Sequence, residues 1–184
     1  MMKKKLGLLF GLLSLLSFSA FTAKLLNNDQ HFVNQQLLFK PKFELAVSDQ
    51  ITEAINNGIT ITFVVQAKLQ QTVDWWFDST ISSKLYTFKL HYYSMSRIYL
   101  LHNITTDSSQ NFVTLDQLLE QLSQETEFSF DMAQGGDYIE TRIFLDKQAL
   151  PSTMQLPTVF DQDWNINSDW QIVAIKQPVS ATDE

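Results

Sequence analysis

Apolar and polar residues alternate most regularly between Ile59 and Gln70. Ile59, Ile61, Phe63, Val65, Ala67 and Leu69 occupy one parity. Thr60, Thr62, Gln66, Lys68 and Gln70 occupy the other, and only Val64 departs. A period of two buries one face and wets the other, so this stretch predicts a strand of an antiparallel sheet. Leu37, Phe39, Phe43, Leu45 and Val47 alternate in the same way, with Pro41 marking an edge or a bulge. Lys84 to Tyr93 predicts a further strand, with Tyr86, Phe88, Leu90 and Tyr92 on one side. A turn at Ser94-Met95 returns the chain through Arg97 to Asn103. Thr126 to Met132 and Tyr138 to Leu145 read as strands joined through Gly135-Gly136, a hairpin signal.

Two segments switch to helical spacing. Ser48 reads as an N-cap and Gly58 as the residue past the helix end, with Ile51, Ala54 and Ile55 on one face. Thr114 opens the second helix. Gln117 stands three residues on, in a capping box, and Leu115, Leu118, Leu119 and Leu122 follow as its apolar stripe. Leu150 to Pro157 reads as a proline-flanked loop. Trp164, Ile166 and Trp170 predict a last strand with these three side chains inward, and the chain from Pro178 is polar. The expected fold class is mainly β (β-rich α+β): an antiparallel β-sandwich-like sheet of six to eight strands with two short helices.

The ends of the chain add an organisation to this pattern. Lys3, Lys4 and Lys5 precede an almost wholly apolar run from Leu6 to Phe18, and small and polar residues follow through Ala23. That order is a secretory signal, with an uncleaved N-terminal anchor as the alternative. The expected division is residues 1–23 as signal or anchor, 24–30 as a polar spacer, 31–177 as one β-rich domain and 178–184 as a flexible tail. The expected location is the periplasm, or the inner membrane if the first segment stays attached.

Charge and composition narrow the partners. The 184 residues carry 13 Lys+Arg and 20 Asp+Glu, a formal −7. Without residues 1–23, which hold three of the lysines and no acid, the balance falls to −10. Such a chain is repelled by nucleic acid and by anionic membrane surfaces. It contains no cysteine, which excludes disulfides, thiolate metal sites and a cysteine nucleophile.

Candidate chemistry is sparse. No G-x-S-x-G and no glycine-rich phosphate loop is present. His102 is expected opposite residue 87 or 88, roughly 10 Å along the neighbouring strand from His91. At that separation the two cannot share a metal, and His31 is expected near the flexible start. The run Asp161 to Asp169 spaces oxygen ligands like a calcium loop, but Ile166 and Ile172 stand where glycine and a bidentate glutamate belong. No metal, cofactor or catalytic residue is therefore assigned. The strongest candidate is Asp74-Trp75-Trp76-Phe77-Asp78. Three consecutive aromatics cannot all face inward from an extended strand, so at least one is expected partly exposed or the chain turns there. An exposed ring beside the carboxylates suits stacking on a sugar or a partner's apolar anchor; the alternative is that the rings plug the end of the sandwich.

Four segments together resemble domain-of-unknown-function family 4390 of proteobacteria. Asp74 to Asp78 is similar to its W-W-x-D segment. Leu90 to Tyr99 is similar to its R-Y-x-x-L-S-x-x-Y hairpin, with His91 and Met95 as departures. Phe112 to Leu118 resembles its entry to the second helix, and Trp164 to Trp170 its closing W-x-L-x-S-x-W. The resemblance spans about residues 31–175. It implies an exported or membrane-anchored protein, supplies no catalytic residue, and hints at envelope signalling through frequent proximity to a sensor kinase. The expected function is a non-catalytic binding or accessory module acting on an envelope or inner-membrane protein. Its expected surface joins Asp74, Trp75, Trp76, Phe77 and Asp78 to Tyr93, Arg97 and Tyr99 of the hairpin. The alternatives are a small periplasmic hydrolase using Asp74 and Asp78, with a cleft holding both, or an apolar-ligand carrier with a cavity between sheets.

Overall fold

The computed structural model describes residues 23–75 and 77–176. The signal or anchor (apart from Ala23), Trp76 and the tail at 178–184 lie outside the described residues. Nine strands form two antiparallel sheets: β1 (Lys24–Val33), β2 (Gln36–Glu44), β3 (Ile61–Gln71), β4 (Ser79–Tyr93), β5 (Ile98–Asn103), β6 (Ser108–Phe112), β7 (Phe128–Asp131), β8 (Tyr138–Leu145) and β9 (Gln171–Ala174). The smaller sheet has the order β1-β2-β7 and the larger β6-β5-β4-β3-β8-β9. Three helices, α1 (Asp49–Asn56), α2 (Leu115–Gln124) and α3 (Ser152–Phe160), complete the chain. The mainly β, antiparallel sandwich-like class stands, with one strand and one helix beyond the expected number.

The core follows from the alternation. Ile61, Phe63, Val65, Ala67 and Leu69 of β3 are all fully buried on the inner face of the large sheet. Register carries that face across the sheet: Phe63 pairs with Phe88 of β4 and with Leu145 of β8. Leu37, Phe39, Phe128 and Phe130 of the small sheet close over it. Burying a large side chain of this kind contributes about 1.5–3 kcal/mol. Val64, the exception to the alternation, points to the outer face and is still almost buried.

Both expected helices form with their caps. Ser48 accepts from the Ile51 amide at 3.2 Å, and Thr114 from the Gln117 amide at 3.3 Å. Ile51 and Ile55 of α1, and Leu118 and Leu122 of α2, reach the core.

The departures have local causes. The expected spacer at 24–30 is strand β1, paired with β2 from Lys24↔Glu44 to Val33↔Gln36. It forms one edge of the small sheet, where polar side chains face water and the ladder supplies the order that hydrophobicity does not. Pro41 sits beyond the four-residue pairing of β2 with β7, so β2 there has a neighbour on one side only. Polar β6 is likewise an edge strand, paired with β5. Leu150–Pro157, expected as a loop, is mostly α3 with Pro157 inside it. A helix-interior proline removes a backbone bond, but side chains tie this helix down. Lys147 Nζ donates to the Thr158 carbonyl at 2.8 Å, and Gln155 Nε2 to the Gln148 and Leu150 carbonyls at 2.8 Å each. The last strand begins after Trp170. Trp164 and Ile166 are buried as expected, whereas Trp170 lies on the outer face against Lys68 and Arg142.

Candidate functional site

Three loops meet at one end of the sandwich. They are the β1–β2 turn at Asn34-Gln35, the β3–β4 loop from Thr72 to Asp78, and the β7–β8 connection through Gly135-Gly136. The Met132 amide donates to the Gln35 carbonyl at 2.9 Å. The Asp137 amide donates to the Gln70 carbonyl at 2.8 Å, and the Thr72 amide returns a bond to the Asp137 carboxylate at 2.8 Å. On the far side of the loop, the Tyr138 hydroxyl donates to the Asp78 carboxylate. Both stems of the β3–β4 loop are thus tied to the same neighbour.

Between the stems, Val73, Trp75 and Phe77 face water. Trp75 is 100% exposed and Phe77 89%. Val73 and Val33 are also exposed at this end. Trp75 has φ +72°, a left-handed conformation that a bulky residue adopts at a cost of order 1–2 kcal/mol. Asp74 and Asp78 flank the rings, both exposed, and Asp131 and Asp137 belong to the neighbouring connection. The bond to Asp78, with burial and the nearby acids as lesser causes, pushes the Tyr138 phenol up to about 12. Trp76 lies outside the described residues.

Tyr93, Arg97 and Tyr99, expected beside this loop, are not there. They occupy the β4–β5 turn at the opposite end of β4, a strand of 15 residues. At about 3.3 Å per residue the two ends stand roughly 45 Å apart. Tyr99 packs against the core, and its hydroxyl donates to Asn56 Oδ1 at the end of α1, 2.8 Å away. Met95 at the tip of this turn is fully exposed, and Tyr93 is 48% exposed. The joint surface expected from the sequence is therefore two separate places, because a single uninterrupted strand separates its ends.

The remaining candidates resolve simply. His102 pairs with Lys89 rather than with residue 87 or 88. It lies two residues from His91 on the same face, closer than expected, and its nearest acid is Asp107 at 3.4 Å. Among the described residues no group of three His, Cys, Asp or Glu side chains converges on a metal position. Asp161 and Asp163 begin a 3-10 turn over Gln162–Trp164 that packs on α1, where the Ser48 hydroxyl donates to the Asp163 carbonyl at 2.9 Å. Asp161 Oδ1 accepts from the Asp163 amide at 3.0 Å, a local cap that explains its spacing. The two carboxylates of the hydrolase alternative sit on an open loop, and phenylalanines from both sheets fill the interior that a carrier would keep free. Sequence reasoning missed the outer face of the large sheet, where Arg142, Phe144 and Trp170 stack. The signal was an arginine on a strand parity opposite its buried neighbours Thr141 and Ile143.

The model of one protein family, described as a domain of unknown function (DUF4390), matches residues 26–174. No curated protein and no solved structure matches the chain.

Proposed function

We propose a non-catalytic binding role for this chain, which belongs to the DUF4390 family of domains of unknown function. In this reading it is an exported module of the cell envelope that engages an envelope or inner-membrane protein through the β3–β4 loop. One observation carries the proposal: Trp75 and Phe77 stand almost wholly in water on a loop whose stems are hydrogen-bonded on both sides. A large apolar side chain held out from a fixed base suits the anchor of an interface, where aromatic residues supply much of the energy. The carboxylates around it favour a partner whose receiving pocket has a basic rim.

Export is supported by the basic start and apolar run of residues 3–18. Among the described residues no helix is long and apolar enough to cross a membrane. Lys24 pairs with Glu44 at the end of β1 next to α1, so the aromatic loop lies at the far end of the sandwich from Lys24. An anchored form would present Trp75 away from the bilayer.

Photo-cross-linking in intact cells tests the proposal. A benzophenone side chain replaces Phe77 in one version and Met95, equally exposed at the other end, in a second. A discrete adduct from position 77 that is absent from position 95 and lost with Trp75→Ala is the expected result. Equal, diffuse labelling from both positions, or a Trp75→Ala chain that fails to fold, overturns it. The mass of the N-terminus in the same sample reports whether the first segment has been removed.

A further inference from the structure

The outer face of the large sheet holds a second feature, well away from the aromatic loop. A groove of about 660 Å³ runs between the sheet and the segment from Lys147 to Asn167, within the size range of small-molecule sites. Val64, Leu85, Phe144 and Val159 supply apolar walls. Leu85 and Val159 are 53% and 57% exposed, although each faces a concave surface.

Arg142 opens into this groove in an unusual setting. Its guanidinium carbon lies 4.5 Å from the centre of the Phe144 ring and 4.3 Å from that of Trp170. One bond holds it, from Nη2 to Gln66 Oε1 at 3.1 Å, and its Nε is buried with no partner. Among the described residues no carboxylate lies within ion-pair distance of it: the ion pairs are Lys40–Glu127 and His102–Asp107. In a chain with so large an excess of acid, an arginine left without one is notable. Stacking on two rings removes water from the guanidinium, and with Nη2 on Gln66 and Nε buried its remaining terminal N–H groups are left for an anion.

The charges lining the groove set the ligand. Arg142 and Lys147 contribute two positive charges and Asp146 one negative. Lys147 is engaged with the Thr158 carbonyl, and Asp146 accepts from the Gln148 amide at 3.0 Å. Lys147 also lies in the field of the Asp161 carboxylate. Arg142 is thus the positive charge left to meet a single negative charge on an apolar body.

We infer that this groove binds a singly charged amphipathic carboxylate, with its head on Arg142 and its aliphatic chain along Val64, Leu85, Phe144 and Val159. The inference is independent of the aromatic loop and of whatever that loop engages.

Calorimetric titration of the full chain tests it, with decanoate kept below its micelle-forming concentration and decanol as the uncharged counterpart. Saturable binding of one decanoate per chain is expected, with decanol at least tenfold weaker. Arg142→Gln is expected to weaken decanoate at least tenfold and to leave decanol unchanged. Leu85→Glu, at a position 53% exposed, puts a hydrated charge on the apolar wall and is expected to weaken both, decanoate the more because its charge is alike. If Arg142→Gln unfolds the protein, Leu85→Glu still decides. Equal affinity for decanoate and decanol, the absence of saturable decanoate binding, or full affinity in Leu85→Glu overturns the proposal.

Discussion

Aromatic residues gather beside both ends of strand β4 and meet opposite fates. At one end Tyr92 and Tyr99 face each other across the β4–β5 pair, ring centres 4.6 Å apart, and both pack against the core. At the other, Trp75 and Phe77 touch almost nothing. The difference lies in the backbone, not in the side chains. Tyr92 and Tyr99 occupy paired positions on the inner face, so the ladder supplies each with a partner and the sandwich supplies cover. Trp75 and Phe77 lie between strands, where no register assigns a neighbour. Aromatic density in a sequence therefore marks a surface only where the strand pattern stops.

The sharpest way to break this comparison is to truncate one ring from each class. Phe88, fully buried on the inner face of β4, should cost about 3–5 kcal/mol when changed to alanine. Trp75→Ala should stay within about 0.5 kcal/mol of the parent, as surface changes do. Chemical denaturation of both variants measures the contrast. A Trp75→Ala loss approaching that of Phe88→Ala would mean that the loop packs in solution, and would remove the basis for a partner site.

A smaller effect tests whether the base of the loop is rigid. Gly136 has φ +131°, and a Cβ there would come within 2.5 Å of Leu69 Cδ1. Leu69 is fully buried, so it has little room to yield. Gly136→Ala should cost about 1–3 kcal/mol from backbone strain and overpacking together. It should also loosen the β3–β4 loop, read as faster amide exchange at Thr72, whose partner Asp137 is the next residue. A neutral outcome would show that the connection repacks freely. Tyr99→Phe, at the opposite end, removes only the bond to Asn56 and should cost about 1 kcal/mol or less. A larger loss there would show that the β4–β5 turn depends on α1 for its position.

What the sequence showed and what it hid follow the same division. The inner face was legible because Ile61 to Leu69 alternate without exception on one parity. The two helix starts were legible because Ser48 and Thr114 cap through their own side chains. Strand β1 was hidden because Lys24 to Val33 takes its order from hairpin pairing with β2, and its mostly polar residues leave no apolar period. Helix α3 was hidden because Pro157 argues against a helix, and the compensating bonds come from Lys147 and Gln155 side chains. The aromatic segment pointed to at least one exposed ring or a turn, with rings plugging the end of the sandwich as the alternative, while its distance from Tyr93 and Tyr99 depended on the length of β4. His91 and His102 were misplaced by the turn, which spans four residues between Tyr93 and Ile98 and shifts the register.

The smallest expected effect bears on how the aromatic loop is held. The Tyr138 phenol sits at about 12, chiefly through its bond to Asp78. In an unfolded chain it would titrate near 10. Because the folded value is the higher one, the stabilisation is fully present below the unfolded value and is lost as pH rises through about 12. Phenolate absorbance of the parent minus that of Tyr138→Phe isolates this group from the other tyrosines. Asp78→Asn should return its titration toward the ordinary value, since both the charge and the strong acceptor disappear. If the substitution leaves the titration unchanged, Asp78 does not hold Tyr138, one stem of the loop is free, and Trp75 is presented by a mobile segment. If the titration falls as expected, the carboxylate beside the exposed rings is a fastener. Its exposure alone would then be no reason to assign it to a partner or to catalysis.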